Sequence, residues 1–206
     1  MVRGRRVGGA AARAALALVA WLSVASAQEP PPQPASHADW PLARGRVELG
    51  GLLGGGVNID SQPEPVTLLS VFLRAGYVFL QQEALVPGSL EIVAEPGYLA
   101  VFEGKTANVG SLAALFKYNI RTGTRLVPFV EGGGGVSYAS QRIPQQPGGT
   151  NFNFVLEAGV GLHYLLGDRA GLTAEWRYHH FSNGGIEPPN PSLNSSLFLI
   201  GFSIFR

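Results

Sequence analysis

The chain has no cysteine, one methionine and only two lysines, Lys105 and Lys117, among 206 residues. Without cysteine there is no disulfide framework, no thiolate nucleophile and no cysteine-held metal. Charged residues make up 14% of the chain, against about 25% in ordinary soluble domains. A water-exposed surface normally needs more charge than this. Long apolar runs are also lacking: beyond the N-terminus, none approaches the ~20 residues of a membrane helix.

What is present begins with an export signal. Arg3, Arg5, Arg6 and Arg13 form a positive leader, and the apolar run from Ala14 to Val24 is too short to span a bilayer. Ala25-Ser26-Ala27 has the small-x-small form of a cleavage site. Residues 1–27 are therefore expected to be removed, leaving 179 residues, enough for one domain. The four leader arginines belong to the 15 basic residues; without them 11 stand against 14 acidic ones, a net charge of −3. That balance argues against nucleic acid as a partner. Residues 28–46, with Pro30, Pro31, Pro32, Pro34 and Pro41, read as an extended tether. Residues 47–206 are expected to form the barrel described next.

Eight segments of strand character follow, at 47–56, 67–80, 89–102, 107–120, 125–138, 151–166, 171–182 and 195–206. Most are long enough for a tilted crossing of about 9–11 residues. Their side chains alternate with period two. In the sixth, Phe152, Phe154, Leu156, Ala158, Val160, Leu162 and Tyr164 share one face, opposite Asn153, Glu157 and His163. In the last, Phe198, Ile200, Phe202 and Ile204 oppose Gly201 and Ser203. Glu48, Arg74, Glu91, Glu95, Lys117, Glu131, Glu157, Glu175 and Arg177 all fall on the polar face.

An exported chain with little charge, no spanning helix and abundant glycine and aromatics fits an all-β fold, an eight-stranded antiparallel outer-membrane β-barrel. Few charges of both signs on the polar face suit a small lumen filled with ion pairs. A secreted lipid-carrier barrel would alternate similarly with its apolar face inward, and that reading stays open here. With an even strand number and both ends in the periplasm, the turns at 121–124 and 167–170 lie inside and the longer connections at 140–150 and 183–194 lie outside.

By parity, Trp176, Tyr178, His180 and Ser182 on the seventh segment face lipid, while Thr173, Glu175, Arg177 and His179 face the lumen. Polar groups on a lipid-facing wall are costly unless they serve something. A serine hydroxyl becomes a useful nucleophile when a base such as histidine takes its proton. The plainer reading is a strand end running into a polar turn, since Asn, Gly and Pro are turn residues.

His180-Phe181-Ser182-Asn183-Gly184-Gly185, followed by Pro189-Asn190, resembles the signature of the outer-membrane lipid A 3-O-deacylase (PagL-like) family. The resemblance implies an eight-stranded barrel in the bacterial outer membrane with a membrane-facing Ser–His–Glu triad. It implies hydrolysis of the 3-position ester-linked acyl chain of lipid A (lipopolysaccharide) without a cofactor, and it leaves room for a homodimer. By the same resemblance Ser182 is the nucleophile and His180 the general base and then acid. Asn190, with a backbone N–H from the turn of Asn183 to Gly185, receives the oxyanion. The family's glutamate is replaced here by Asn194, which can orient the imidazole but cannot offset its charge. Glu187, in the same loop, is an alternative third member. This departure keeps a non-catalytic structural or adhesion barrel open as a second reading. His163 and His179 are expected in a luminal polar network, and no metal-ligand spacing is present. The run Gly132–Gly135 lacks the Lys-Ser/Thr of a phosphate loop and fits crowding relief in a tilted strand.

Overall fold

A computed structural model describes residues 40–60, 66–103, 105–141, 150–188, 190 and 192–206. Eight antiparallel strands close into a barrel in sequential order. They are β1 (Val47–Asn58), β2 (Thr67–Gln82), β3 (Gly88–Glu103), β4 (Lys105–Ile120), β5 (Leu126–Ala139), β6 (Phe152–Leu165), β7 (Ala170–Ser182) and β8 (Ser192–Phe205). Closure comes from β1 pairing with β8, from Glu48 opposite Phe205 to Asn58 opposite Ser195. Every expected strand is present. The largest shift that matters is at β8, which starts three residues early and takes Asn194 out of the outer loop into the sheet.

The alternation sets which side faces where. Along β2 and β6 nearly every second residue is buried, and the charged residues, Arg74 and Glu157, belong to the buried set. Lys117 and Arg177 are 0% exposed, while Phe198 is 68% and Ile200 62% exposed. A contiguous apolar exterior around a charged interior is the inverse of a water-soluble barrel and matches a wall in contact with lipid. The lipid-carrier reading is thereby set aside.

The lumen is packed, not open, among the described residues. Its outer half is apolar, built from residues such as Phe72, Leu99, Leu115, Val155, Phe181 and Leu197. Below it lies an ion-pair network. Arg177 reaches Glu95 at 2.5 Å, Glu175 at 2.6 Å, Glu131 at 2.9 Å and Glu157 at 3.3 Å. Arg74 meets Glu95, Glu131 and Glu175, and Lys117 bridges Glu48 and Glu91. Both histidines expected inside are there: His163 Nδ1 lies 2.9 Å from Thr173 Oγ1, and His179 Nε2 lies 3.1 Å from Glu157. All nine charged residues placed on the polar face by parity are buried.

Space in this wall is tight where the glycines cluster. A Cβ at Gly133 would sit 2.1 Å from the carbonyl oxygen of Ala114, and one at Gly135 would sit 2.0 Å from that of Leu112. Those contacts explain the run on β5 as close approach of neighbouring backbone.

The expected signal, 1–27, and the tether up to residue 39 lie outside the described residues. The end of the tether differs from expectation. Residues 40–46 are a packed turn, with Ala43 N–H donating to the Trp40 carbonyl at 3.0 Å and Gly45 N–H to that of Val78 at 2.8 Å. Trp40, Leu42 and Ala43 are buried with Val127, Leu165 and Phe205 at the turn-rich end of the barrel. Apolar side chains there cover a mouth that the Pro-rich composition alone did not reveal.

Removing one member of a buried ion cluster leaves its partners uncompensated, at about 3–5 kcal/mol. Arg177→Leu, which strands four carboxylates, should therefore lower the urea midpoint of the detergent-folded barrel by that order and weaken its heat-modifiable gel mobility. An unchanged midpoint would contradict the network.

Candidate active site

β7 carries Trp176, Tyr178, His180 and Ser182 on its outer face, and β8 lies beside it in antiparallel register. Tyr178 pairs with Ser196, His180 with Asn194 and Ser182 with Ser192. Two residues apart on a strand, His180 and Ser182 project the same way, and His180 Nε2 lies 3.0 Å from Ser182 Oγ. Directly across the ladder, Asn194 Oδ1 lies 2.6 Å from His180 Nδ1. An amide oxygen can only accept, so Nδ1 carries the proton and Nε2 turns its lone pair toward the serine hydroxyl. This is the tautomer a general base needs.

Asn194 makes more bonds than the histidine alone requires. Tyr178 donates its hydroxyl to the same Oδ1 at 2.5 Å. Asp60, just beyond β1, accepts from Asn194 Nδ2 at 2.5 Å and from its backbone N–H at 2.6 Å. Trp176 Nε1 donates to Ser196 Oγ at 2.7 Å, which pins the indole against the wall. On the other flank, β6 places Phe154 opposite Ser182 and Leu156 opposite His180. The pair therefore sits between a polar strand and an apolar one, on the side of the barrel that faces lipid.

The outer loop is organised by Asn183. Its backbone N–H donates to Asn190 Oδ1 at 2.9 Å, its Nδ2 to the Glu187 carbonyl at 2.8 Å, and its Oδ1 accepts from Gly185 N–H at 2.8 Å. Ile186 N–H donates to the Asn183 carbonyl at 3.2 Å, closing a turn whose central residues Gly184 and Gly185 have φ of +64° and +82°. Positive φ at both central positions is the type I′ pattern, which glycine adopts at least cost.

Two of the backbone N–H groups in the Asn183–Gly185 turn are already engaged. The N–H groups of Asn183 and Gly185 are both committed to side-chain oxygens inside the loop. Gly184 carries the remaining N–H of the turn, and Asn190, whose Oδ1 is engaged, keeps its Nδ2 as donor. Asn194 meets His180 Nδ1, the position for which Glu187 was the alternative. Ser182, His180 and Asn194 are thus brought together, and Asn190 and Asn183 meet each other one layer above. Tyr178 lies on the outer face with His180, as parity predicts, and its bond to Asn194 adds it to the site. Asp60 was missed: it stands 134 residues from Asn194 in the chain, and no local pattern links them.

Fold and site together define an outer-membrane β-barrel with a hydrogen-bonded Ser–His–Asn chain on its lipid-facing wall. The family model for "Lipid A 3-O-deacylase (PagL)" matches residues 71–203, more than half of the chain, and the chain belongs to that family. It is 35% identical over 98 residues to the lipid A deacylase PagL of Pseudomonas aeruginosa, a match covering 47% of this chain and 54% of that protein. The matched part thus spans about half the length of that curated relative. The crystal structure of the outer-membrane enzyme PagL superposes with a TM-score of 0.61 at 23% identity, covering 75% of this chain and 97% of that one. Neisserial surface protein A gives 0.58 at 15% identity, covering 77% and 96%. These two likenesses concern the fold.

At Gly184 a Cβ would lie 2.9 Å from the Phe154 ring in addition to facing positive φ. A left-handed conformation costs an L-residue roughly 1–2 kcal/mol. Gly184→Ala should speed amide hydrogen exchange at 183–187 by about 5–30-fold while the melting of the barrel stays put. Unaltered exchange would show that the turn tolerates a side chain.

Proposed function

We propose that the protein is a serine esterase of the outer leaflet that hydrolyses the 3-position ester-linked acyl chain of lipid A. The observation that carries this reading is the 3.0 Å contact of His180 Nε2 with Ser182 Oγ on the lipid-facing wall. A soluble substrate would not reach that face, and an amphipathic ester lying in the leaflet would. Family membership supports the choice of lipid A, the substrate class named for the family and for the Pseudomonas aeruginosa relative.

In the first half-reaction, Ser182 Oγ attacks the ester carbonyl carbon as His180 Nε2 takes the hydroxyl proton. Charge develops on the carbonyl oxygen, where Gly184 N–H and Asn190 Nδ2 are the proposed donors. Collapse of the tetrahedral intermediate breaks the bond to the sugar oxygen, which leaves as the 3-hydroxyl with the proton from His180. In the second half-reaction His180 deprotonates a water that attacks the acyl-serine, releasing the fatty acid and restoring Ser182. Asn194 holds the Nδ1 proton throughout, which keeps Nε2 directed at the serine. Trp176 and Phe198, paired two same-face rungs deeper than His180 and Asn194, offer an apolar surface for the departing acyl chain.

Lipid A from cells expressing the chain should lose one ester-linked acyl chain by mass spectrometry, with amide-linked chains retained. Ser182→Ala and His180→Ala should abolish the loss, with folded barrel still present by gel mobility. Asn190→Ala should slow it by roughly 10²–10³-fold, the usual effect of removing one oxyanion donor. Intact lipid A with the wild-type chain folded in the membrane would favour a structural barrel instead.

A further inference from the structure

Against Asn194, just beyond the end of β1, stands one more carboxylate. Resting on the esterase reading, we propose that Asp60 is a positioning residue that acts through Asn194, extending the chain to Asp60–Asn194–His180–Ser182. It supplies, one residue further out, the negative charge that the family pattern places directly on the histidine.

The geometry carries this step by step. Both oxygens of Asp60 are bonded to Asn194, Oδ1 to its Nδ2 at 2.5 Å and Oδ2 to its backbone N–H at 2.6 Å. A carboxylate only accepts hydrogen bonds, so the NH2 end of the Asn194 amide must face Asp60. Its oxygen is then turned to the other side, where Tyr178 and His180 Nδ1 approach at 2.5 and 2.6 Å. An oxygen with two lone pairs accepts from both, which demands a proton on Nδ1 and leaves Nε2 as acceptor for Ser182. One acceptor-only group at the end of β1 thereby decides the tautomer of a histidine it does not touch. The bond to Nδ2 also polarises the amide, making Oδ1 a stronger acceptor as the imidazole gains charge.

Asp60 is held for this task by barrel closure. The β1–β8 ladder runs to Asn58 opposite Ser195, and Ile59 N–H continues it by donating to the Asn194 carbonyl at 2.8 Å. Asn58 accepts from Val66 N–H at 2.8 Å and donates to the Asp60 carbonyl at 3.4 Å. Among the described residues, the strand neighbours of His180 carry no charge: Leu156 on β6, Asn194 on β8, and Tyr178 on its own strand. Glu187 is exposed in the outer loop, its carbonyl bonded to Asn183.

A bare strand cap would look similar, and Asp60→Asn separates the two. An asparagine can still accept from the backbone N–H of Asn194, so a cap survives. It cannot offer acceptors to both N–H groups without presenting its own NH2, so the amide of Asn194 loses its enforced orientation. In detergent-solubilised full-length protein with a long-chain p-nitrophenyl ester, Asp60→Asn should lower kcat by about 10–100-fold with KM unchanged. That is less than the ~10⁴ lost when a directly bonded acid is amidated and typical of an outer-shell partner. Asp60→Glu should restore part of the rate. Asn194→Glu should be impaired by the like charge beside it, and Asn194→Glu with Asp60→Asn should recover relative to Asn194→Glu alone.

The ¹⁵N resonances of the His180 ring give a readout independent of turnover, assigned by their loss in His180→Ala. The wild type should show the Nδ1–H tautomer and Asp60→Asn a mixture. Wild-type kcat and ring resonances in Asp60→Asn would overturn the proposal. Inactive wild-type protein whose His180 tautomer still depends on Asp60 would sink the esterase reading alone.

Discussion

Closure of the sheet between β1 and β8 is the contact on which the rest of this molecule depends. In hydrocarbon an unpaired strand edge leaves a row of unsatisfied N–H and C=O groups, each costly, so a lipid-embedded sheet must return on itself. The ladder from Glu48–Phe205 to Asn58–Ser195 makes that return. It encloses a lumen too narrow for water to serve as a general solvent, so luminal charges must satisfy one another. Arg177 with its four carboxylates, and Lys117 between Glu48 and Glu91, are the outcome.

The same seam shapes the outer wall. β8 is the strand that β1 closes upon, and it also carries Asn194 across from His180. Rigid strands on both sides hold Ser182, His180 and Asn194 without reliance on the long outer loop. That loop is tied instead by Asn183 and the glycine turn above the serine. Such a division suits an enzyme acting at a membrane surface: the hydrogen-bonded chain is built into the wall, and the proposed oxyanion donors sit at its rim, where a headgroup can approach.

Much of this was legible from residue order, because a barrel strand has period two and a lipid-facing wall inverts the usual burial. Parity alone placed all nine luminal charges and put His180 and Ser182 on the exterior. The misreadings share a cause. The segment boundary at 195 leaves Asn194 at the end of the outer loop, yet pairing with His180 and the bonds to Asp60 draw it into β8. Residues 40–46 close a proline-rich stretch that reads as tether, yet Trp40, Leu42 and Ala43 are buried at the barrel mouth. Asp60 carried no signal at all, since its partner is brought near only by closure of the whole sheet. Local pattern reports the face a residue occupies; it does not report which distant residue shares that face.

The central claim is that Ser182 is a nucleophile activated by His180 and reached from within the membrane. A long-chain fluorophosphonate, partitioned into outer membranes that contain the folded protein and followed by peptide mass mapping, tests it most directly. Modification should fall on Ser182, and it should vanish in His180→Ala. Labelling at another residue, or equal labelling of Ser182 with His180 removed, would contradict it.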